Sequence, residues 1–365
     1  MTDRGWLRAA LLLVALDGAL YGGLQARPGR LGVVLWQIGP PLVLGLAIAL
    51  LAAGLVTALR ARHRGSRARL GGLAALGLVV ASMPLYTVYP SSYDDAPSAV
   101  RFRLPLDGLV TVAWGGRERE TNYHVVDPAQ RWAYDLLVAE NGISYRGEGA
   151  TVEDYLGYGL PVLAPAAGIV REVVDGEPDT PIGTGWRGAN PAGNHVVLEV
   201  APGQFLFVAH LRPRSLRVRR GDRVRAGQPI GAVGNSGNSS EPHVHLHLQD
   251  TPGELGEAIP FYFFDYEVDG RRVERGMPTG GRRAGRWTGE IVRNADPLRS
   301  AAGADAGTRR SLLVATTSPS GDASSLPALA ATSSATTPPG GAVQRRRQAI
   351  APAVAGTLPF AECWM

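Results

Sequence analysis

Lysine is absent from this chain of 365 residues, and cysteine occurs once, at Cys363. Without lysine, the chain cannot contain a domain that works through an exposed, covalently modified lysine side chain. A single cysteine can form no disulfide within the chain and cannot provide a cysteine cluster for zinc. Any metal ion bound by this protein must therefore use histidine and carboxylate ligands.

All of the basic charge is arginine, and the formal net charge is +5. Much of the excess is concentrated in two segments, residues 60–69 and residues 345–347. A basic chain could bind nucleic acid, but no nucleic-acid-binding motif accompanies these segments. We therefore expect no nucleic-acid partner.

Three long apolar stretches occupy the first 89 residues: Trp6 to Leu24, Leu31 to Leu59, and Leu70 to Tyr89. Each approaches the roughly 20 residues that a spanning helix needs. The first contains Asp17 and could be read as a signal peptide, but it lacks a small-residue cleavage site. We predict three transmembrane helices in residues 1–89.

The arginine-rich segment 60–69 lies between the second and third stretches. Positively charged loops stay in the cytoplasm, so the third stretch should leave it again. The linker at residues 90–99 and everything after it should then face the periplasm or the cell wall. A reading with two spans, in which the first segment lies on the membrane, places the later residues on the same side. We predict a multi-pass protein with the lipid bilayer as a partner.

Residues 100–295 consist of short alternating or β-branched runs separated by Gly, Pro, Asn and Asp. This pattern is typical of an all-β domain. We predict a mainly β fold, a compact antiparallel sheet or barrel-sandwich domain preceded by transmembrane α-helices. Residues 296–365 are rich in Ala, Ser, Thr, Pro and Gly and have few large apolar side chains. Such a composition buries little surface and predicts a disordered tail.

Three of the seven histidines alternate in the run EPHVHLHLQD, at His243, His245 and His247. Side chains alternate between the two faces of a strand, so these three share one face and lie roughly 6 to 7 Å apart. Two such imidazoles could meet at one small volume, one as a metal ligand. The alternative is an ordinary half-buried strand whose polar face is histidine.

Two further histidines lie on or beside predicted strands. His210 ends the apolar run QFLFVAHL, and taken alone it is more often a hydrogen-bonded core residue than a functional one. His195, which begins the strand HVVLEV after a turn, is predicted to be structural.

Asp135 lies within the apolar run RWAYDLLV, where an unpaired buried carboxylate would be costly. Its partner could be an arginine such as Arg131, or a metal ion. His124 precedes it by eleven positions, a separation that suits two adjacent strands of a hairpin. The sequence alone does not establish that the two side chains meet.

Two segments together resemble the M23 family of zinc metallopeptidases, the lysostaphin-like or LytM-type peptidoglycan endopeptidases. The segment from VAHLRPRSLRVRRGDRVRAGQPIGAVGNSGNSSEP to the HVHLH motif is similar to the most specific stretch of that family. The upstream YGLPVLAPAAGIV is similar to its strand pair. The resemblance covers most of residues 120–250 and implies hydrolysis of peptidoglycan peptide stems with a Zn²⁺ cofactor.

Position by position, the resemblance implies roles for five residues. His245 and Asp135 would be zinc ligands, and His243 and His210 would be the catalytic histidines. His124 would be the third ligand, although the family usually separates its first histidine and aspartate by three residues rather than ten. His247 falls just outside the motif. Two histidines and one carboxylate leave a fourth position for water, as a catalytic zinc site requires.

The sequence is open to two other interpretations. The same glycine-rich segments also resemble the biotinyl and lipoyl carrier domains, which the absence of lysine excludes. The second is a domain of the same fold that no longer cleaves and instead acts as a scaffold or activator for other cell-wall hydrolases. All five motif positions hold an acceptable residue, which favours an enzyme. No feature of the sequence specifies an oligomeric state.

Overall fold

The computed structural model describes residues 3–60, 76–77, 79, 86–184, 188–253 and 255–295, all within one compact unit. Two helices come first, α1 (Asp3–Gln25) and α2 (Arg30–Arg60). Among the described helices, one is long and apolar enough to cross a membrane, within Arg30–Val56 of α2. The third apolar stretch lies largely outside the described residues, as do most of the arginine-rich segment and the tail at 296–365.

The rest of the described chain is mainly β, which confirms the expected fold class. The strands are β1 (Val110–Trp114), β2 (Tyr134–Leu137), β3 (Pro161–Leu163), β4 (Gly168–Val174), β5 (Asn194–Ala201), β6 (Gln204–Leu211), β7 (Arg223–Val224), β8 (Pro229–Ala232), β9 (Val244–Gln249), β10 (Phe263–Val268), β11 (Arg271–Gly276), β12 (Arg282–Arg283), β13 (Arg286–Trp287) and β14 (Ile291–Asn294). Short 3-10 helices form at Tyr123–Val126 and Val152–Asp154.

Ten strands form one sheet in the order β11-β10-β14-β1-β2-β9-β6-β5-β4-β7. The named pairs in it are antiparallel, and β3 pairs with β8 and β12 with β13 in two small sheets. The centre of the large sheet is β2-β9-β6, where Asp135 of β2 lies opposite His245 of β9. His245 in turn lies opposite Ala209 of β6.

Alternation along β9 separates the core from the polar face. Val244, Leu246 and Leu248 belong to the main hydrophobic core. Val162 of β3 and Ile230 of β8 belong to the same core. The intervening histidines of β9 therefore share the opposite face of the sheet, as their spacing predicts.

The turn between α1 and α2 and the segment after residue 86 are in contact with the linker and the β domain. Arg27, in the turn between α1 and α2, pairs with Asp94 and Asp95 at 3.1 and 2.9 Å. The buried carboxylate of Glu257 accepts hydrogen bonds from Tyr89 and from a serine pair, Ser91 and Ser92. These contacts join the α1–α2 turn and the segment after residue 86 to the β domain.

Candidate metal centre

Three side chains meet on the polar face of the sheet: His124, Asp135 and His245. One ligand atom from each lies within 4.8 Å of the others, and all three residues are buried. Asp135 Oδ1 is 2.8 Å from His245 Nδ1, and Asp135 Oδ2 is 3.5 Å from His124 Nε2. Two imidazoles and one carboxylate at this separation are a donor set that suits Zn²⁺.

His124 lies on a 3-10 helix, so the prediction that it lies on a strand of a hairpin was wrong. Asn122 caps this helix. Its Oδ1 accepts from the His124 amide at 3.1 Å and lies 2.9 Å from His124 Nδ1. Its Nδ2 donates to the carbonyls of Gly116 and Ala133, at 2.9 and 3.2 Å. Because the amide of Asn122 is oriented by these carbonyls, His124 Nδ1 carries the proton and Nε2 faces Asp135.

His210 and His243 lie beside the three-residue cluster. Their ring centroids are 4.8 Å apart, and His243 Nε2 is 3.5 Å from Asp135 Oδ1. His210 Nδ1 donates to the carbonyl of Ser236 at 2.8 Å, and His243 Nδ1 donates to that of Glu241 at 2.7 Å. A carbonyl can only accept, so each ring holds a proton on Nδ1 and keeps Nε2 for other partners.

The backbone of His210 is in the left-handed region, with φ of 60°. A residue other than glycine rarely adopts this conformation, which costs of order 1 kcal/mol or more and tends to occur at functional sites. Hydrogen bonds hold it in place, since the His210 amide donates to Ala192 O at 3.1 Å. The bend at the end of β6 turns the imidazole towards β9.

Burial and charge act in opposite directions on this cluster. Burial lowers the pKa of His124 from 6.5 to about 3 and also lowers the pKa of His210. Burial alone would raise the pKa of Asp135, but the imidazoles of His124 and His243 more than reverse this and bring it well below 3.8. Burial opposes protonation of His243, yet the Asp135 carboxylate raises its pKa above 6.5. Ionised Asp135 and neutral His124 are the forms that a metal ion requires.

Arg131 does not provide the cation for Asp135. Its guanidinium pairs with Asp94 at 3.0 Å and stacks over the ring of Trp132. Among the described residues, the ion-pair partners of Asp135 are all histidines. Arg131, the arginine considered from the sequence, is therefore excluded as the partner of Asp135.

The two remaining histidines of the β domain differ in position. His195 lies on β5, 2.8 Å from Gly193 O and 3.6 Å from Glu172, outside the cluster. His247 Nδ1 lies 3.0 Å from His245 Nε2. Sequence reasoning left His247 outside the motif, although its position on the same strand face already indicated the contact.

Sequence reasoning also missed Asn122 and Tyr123. The hydroxyl of Tyr123 donates to Asp135 Oδ2 at 3.4 Å, and its ring lies 4.0 Å from that of His124. The signal for Asn122 was the N-x-H spacing itself, because Asn is a favoured N-cap residue.

Residues 150–255 match the family described as peptidase family M23. The match includes His210, His243 and His245 and begins after His124 and Asp135. A curated relative, the cell division protein DipM of Caulobacter vibrioides, is 29% identical over 102 residues. That alignment covers 28% of this chain and 16% of the length of the relative.

Solved structures of similar fold include three peptidases. The catalytic domain of the prophage-encoded M23 protein EnpA from Enterococcus faecalis, in the form of a point mutant, is 22% identical, with a TM-score of 0.30, covering 44% of this chain and 94% of its own. A zinc-containing peptidase from Vibrio cholerae is 20% identical, with a TM-score of 0.27, covering 49% and 39%. The lysostaphin catalytic domain of Staphylococcus simulans is 20% identical, with a TM-score of 0.25, covering 41% and 86%. The family match confirms the resemblance read from the motifs: residues 150–255 of the β domain match peptidase family M23.

Proposed function

We propose that this protein is a zinc-dependent endopeptidase that hydrolyses peptide cross-links of bacterial peptidoglycan. The observation that carries the proposal is the buried cluster of His124, Asp135 and His245. The match of residues 150–255 to family M23 supports a peptidase-type function related to peptidoglycan. The identity of the metal ligands and the cleavage of peptidoglycan are proposed here in addition to that match.

His124, Asp135 and His245 would hold the zinc ion, His124 through Nε2 and His245 through Nδ1. The ion would supply a Lewis acid that polarises the scissile carbonyl and lowers the pKa of water. The ionised carboxylate of Asp135 would balance the charge of the metal. The carbonyls of Ser236 and Glu241 would keep the protons of His210 and His243 on Nδ1.

His210 and His243 would handle the protons of the reaction. With Nδ1 engaged, the Nε2 atom of each ring is left to take a proton from the attacking water or to donate one to the developing oxyanion. The 4.8 Å separation of the two rings allows both to reach one substrate group. The left-handed backbone of His210 would serve this arrangement, because it directs the ring towards His243.

We also propose that the protein is a multi-pass membrane protein with its β domain outside the cytoplasm. The first residues of α2 support this, because Arg30 pairs with Asp250 of the β domain at 3.4 Å. The helix has 31 residues, about 46 Å at 1.5 Å per residue, and the arginine-rich segment follows its other end. The β domain and the predicted cytoplasmic loop therefore adjoin opposite ends of α2. A reporter fused after residue 295 should be active only outside the cytoplasm, and cytoplasmic activity would overturn this topology.

Zinc binding and peptidoglycan digestion test the enzymatic proposal. The full chain in detergent should bind about one zinc ion per chain. His124→Ala should lose it, whereas His195→Ala, a buried histidine outside the cluster, should retain it. Incubation with purified peptidoglycan should then release fragments with new peptide ends, as detected by mass spectrometry.

His243→Ala should abolish that release while leaving zinc bound. Failure of the wild type to bind zinc would overturn the metal site. Zinc binding without new peptide ends would instead favour the non-catalytic scaffold or activator. New ends that persist in His243→Ala would contradict the role of that histidine.

A further inference from the structure

We propose that His247 is a positioning residue that sets the tautomer of His245 and so presents His245 Nδ1 to the metal. This rests on the proposed zinc site. No motif of the sequence assigned a role to His247. The inference is based on the 3.0 Å hydrogen bond between His245 Nε2 and His247 Nδ1. Both rings are buried.

The geometry gives each nitrogen of His245 a different partner. Nδ1 faces Asp135 Oδ1 at 2.8 Å, within the three-residue cluster, and Nε2 faces His247. A nitrogen that binds a metal must offer its lone pair, so the ring proton of zinc-bound His245 has to be on Nε2. That proton then points at His247 Nδ1, which must be unprotonated to accept it. Metal-ligating histidines generally donate their second N–H in this way, and the acceptor fixes the ring.

The ring of His247 is held in place independently of His245. It stacks on Phe207, with centroids 4.5 Å apart and an angle of 12° between the planes. The two residues lie directly opposite each other on β9 and β6. A ring held from a neighbouring strand keeps its Nδ1 facing His245 Nε2 both with and without the metal.

Binding of the metal would reverse the direction of this hydrogen bond. In the metal-free protein the Asp135 carboxylate can only accept, so His245 Nδ1 carries the proton and Nε2 accepts from His247 Nδ1. When the metal takes His245 Nδ1, the proton on that nitrogen leaves to solvent. The shared proton moves from His247 Nδ1 to His245 Nε2, and His247 takes a proton from solvent on its own Nε2. One proton leaves and one enters, so the charge of the pair does not change.

This proton exchange needs solvent close to His247. His247 lines a cavity of about 730 Å³, whose other walls include Asp127, Gln130 and Gln37 of α2. A cavity of this size holds water readily, since one water needs only about 10 to 15 Å³ of such volume. The cavity therefore places solvent-accessible space next to His247.

The test measures zinc affinity of the full chain in detergent by competition with a chromophoric chelator. His247→Phe keeps the ring that stacks on Phe207 but removes the acceptor, and should weaken zinc binding about 10- to 100-fold. His247→Asn places an oxygen near the position of Nδ1 and should stay within about threefold of the wild type, as a restored acceptor predicts. His195 faces the same Phe207 ring, at 6.3 Å, and lies outside the cluster, so His195→Phe is the matched control and should not change the affinity.

A second measurement needs no substitution and holds even if His247→Phe fails to fold. In zinc-loaded protein labelled with ¹⁵N-histidine, NMR should find His245 protonated on Nε2 and His247 unprotonated on Nδ1. A protonated His247 Nδ1 would overturn the inference, as would equal zinc affinity of folded His247→Phe and wild type, or equal weakening by Phe and Asn. Failure of the wild type to bind zinc would instead overturn the metal site itself.

Discussion

The indole Nε1 of Trp36 donates a 2.8 Å hydrogen bond to the carbonyl of Val126. Trp36 belongs to α2, the helix apolar enough to cross a membrane, and Val126 ends the 3-10 helix that carries His124. The preceding carbonyl, that of Val125, accepts from the amide of Tyr89 at 2.8 Å. Two successive carbonyls of the 3-10 helix are thus held by residues that precede the β domain.

Trp36→Phe should loosen this 3-10 helix, because it removes the indole donor and keeps an aromatic ring against Tyr86 and Tyr89. A neutral hydrogen bond contributes about 1 kcal/mol, so exchange of amides that depend on the helix should speed up about fivefold. The amide to follow is that of Asp127, which donates to His124 O at 2.9 Å. Hydrogen exchange of the full chain measures the rate.

Tyr86→Phe is the matched control for this prediction. The Tyr86 ring lies 5.7 Å from that of Trp36, but its hydroxyl contacts Asp17 at 3.0 Å rather than the 3-10 helix. It should leave the exchange of the Asp127 amide unchanged. Equal exchange in Trp36→Phe and wild type would show that the helical region does not restrain the 3-10 helix.

Asn122 should affect both zinc affinity and stability, through different atoms. Asn122→Ala removes the acceptor of His124 Nδ1–H and should weaken zinc binding about 10- to 100-fold. It also leaves the carbonyls of Gly116 and Ala133 without their donor, which should lower the unfolding free energy by about 1 to 3 kcal/mol. Zinc competition and thermal unfolding measure the two effects.

Asn122→Asp separates these effects. It keeps the acceptor for His124 and loses the donors, so it should retain zinc binding and still lose stability. Loss of zinc affinity in the aspartate variant as large as in the alanine variant would contradict the orienting role of the Asn122 oxygen.

The metal-free protein should lose stability on acidification. The pKa of His124 falls from 6.5 to about 3 in the fold, and the pKa values of His210 and His247 are also lowered by burial. Below about pH 6.5 these histidines take up protons in the unfolded chain but stay neutral in the folded protein. Their contribution to the free energy of unfolding is therefore present above pH 6.5 and lost as the pH falls towards 3. His243, whose pKa is raised, favours the folded state on acidification. Three histidines with lowered pKa values oppose this one, so the net effect is a loss of stability.

Thermal unfolding of chelator-treated protein between pH 8 and pH 5 measures this dependence. The midpoint should fall as the pH drops, and saturating zinc should reduce the slope, because bound metal keeps the ligand histidines deprotonated in the folded state. A midpoint that rises on acidification would contradict the burial of neutral imidazoles.

Gly193 should be intolerant of a side chain. Its φ is +58°, and a Cβ there would lie 2.4 Å from the carbonyl carbon of Ser236, whose oxygen holds His210. Gly193→Ala should therefore displace that carbonyl, cost about 1 to 3 kcal/mol from crowding beyond the backbone strain, and slow peptidoglycan cleavage. Gly203 is the matched control, with φ of +69° and no atom within 4 Å.

Gly203→Ala should cost about 1 kcal/mol from the left-handed backbone alone and leave the cleavage rate unchanged. Thermal unfolding and fragment release from peptidoglycan, measured on both variants, check the pair. Equal losses in the two variants would show that the contact of Gly193 with Ser236 does not matter.

Part of the site could be derived from local pattern. Alternation along a strand is a property of the backbone, so His245 and His247 had to share one face once β9 formed, and His243 lies immediately before that strand. Val244 and Leu246, on the opposite face of the strand, lie in the hydrophobic core. The cost of an unpaired buried carboxylate was enough to single out Asp135.

The position of His124 could not be derived in this way. A hairpin of two strands was predicted, but the residue lies on a 3-10 helix whose cap, Asn122, is oriented by Gly116 and Ala133. These contacts involve residues six and eleven positions from the cap, and the helix is further held by Trp36. Arg131, the alternative partner of Asp135, pairs instead with a residue distant in sequence, Asp94.

The sequence by itself determined which residue types are available to bind a metal, the strand face of the β9 histidines and the apolar character of α2. Composition and backbone alternation act over a few residues, so neither depends on the tertiary structure. Only the tertiary structure decided which nitrogen of each imidazole faces Asp135 and which is held by a partner. The physical reason is that a histidine ring is oriented by the groups around both of its nitrogens. For His245 these are Asp135 of β2 and His247, which is itself fixed by Phe207 of β6.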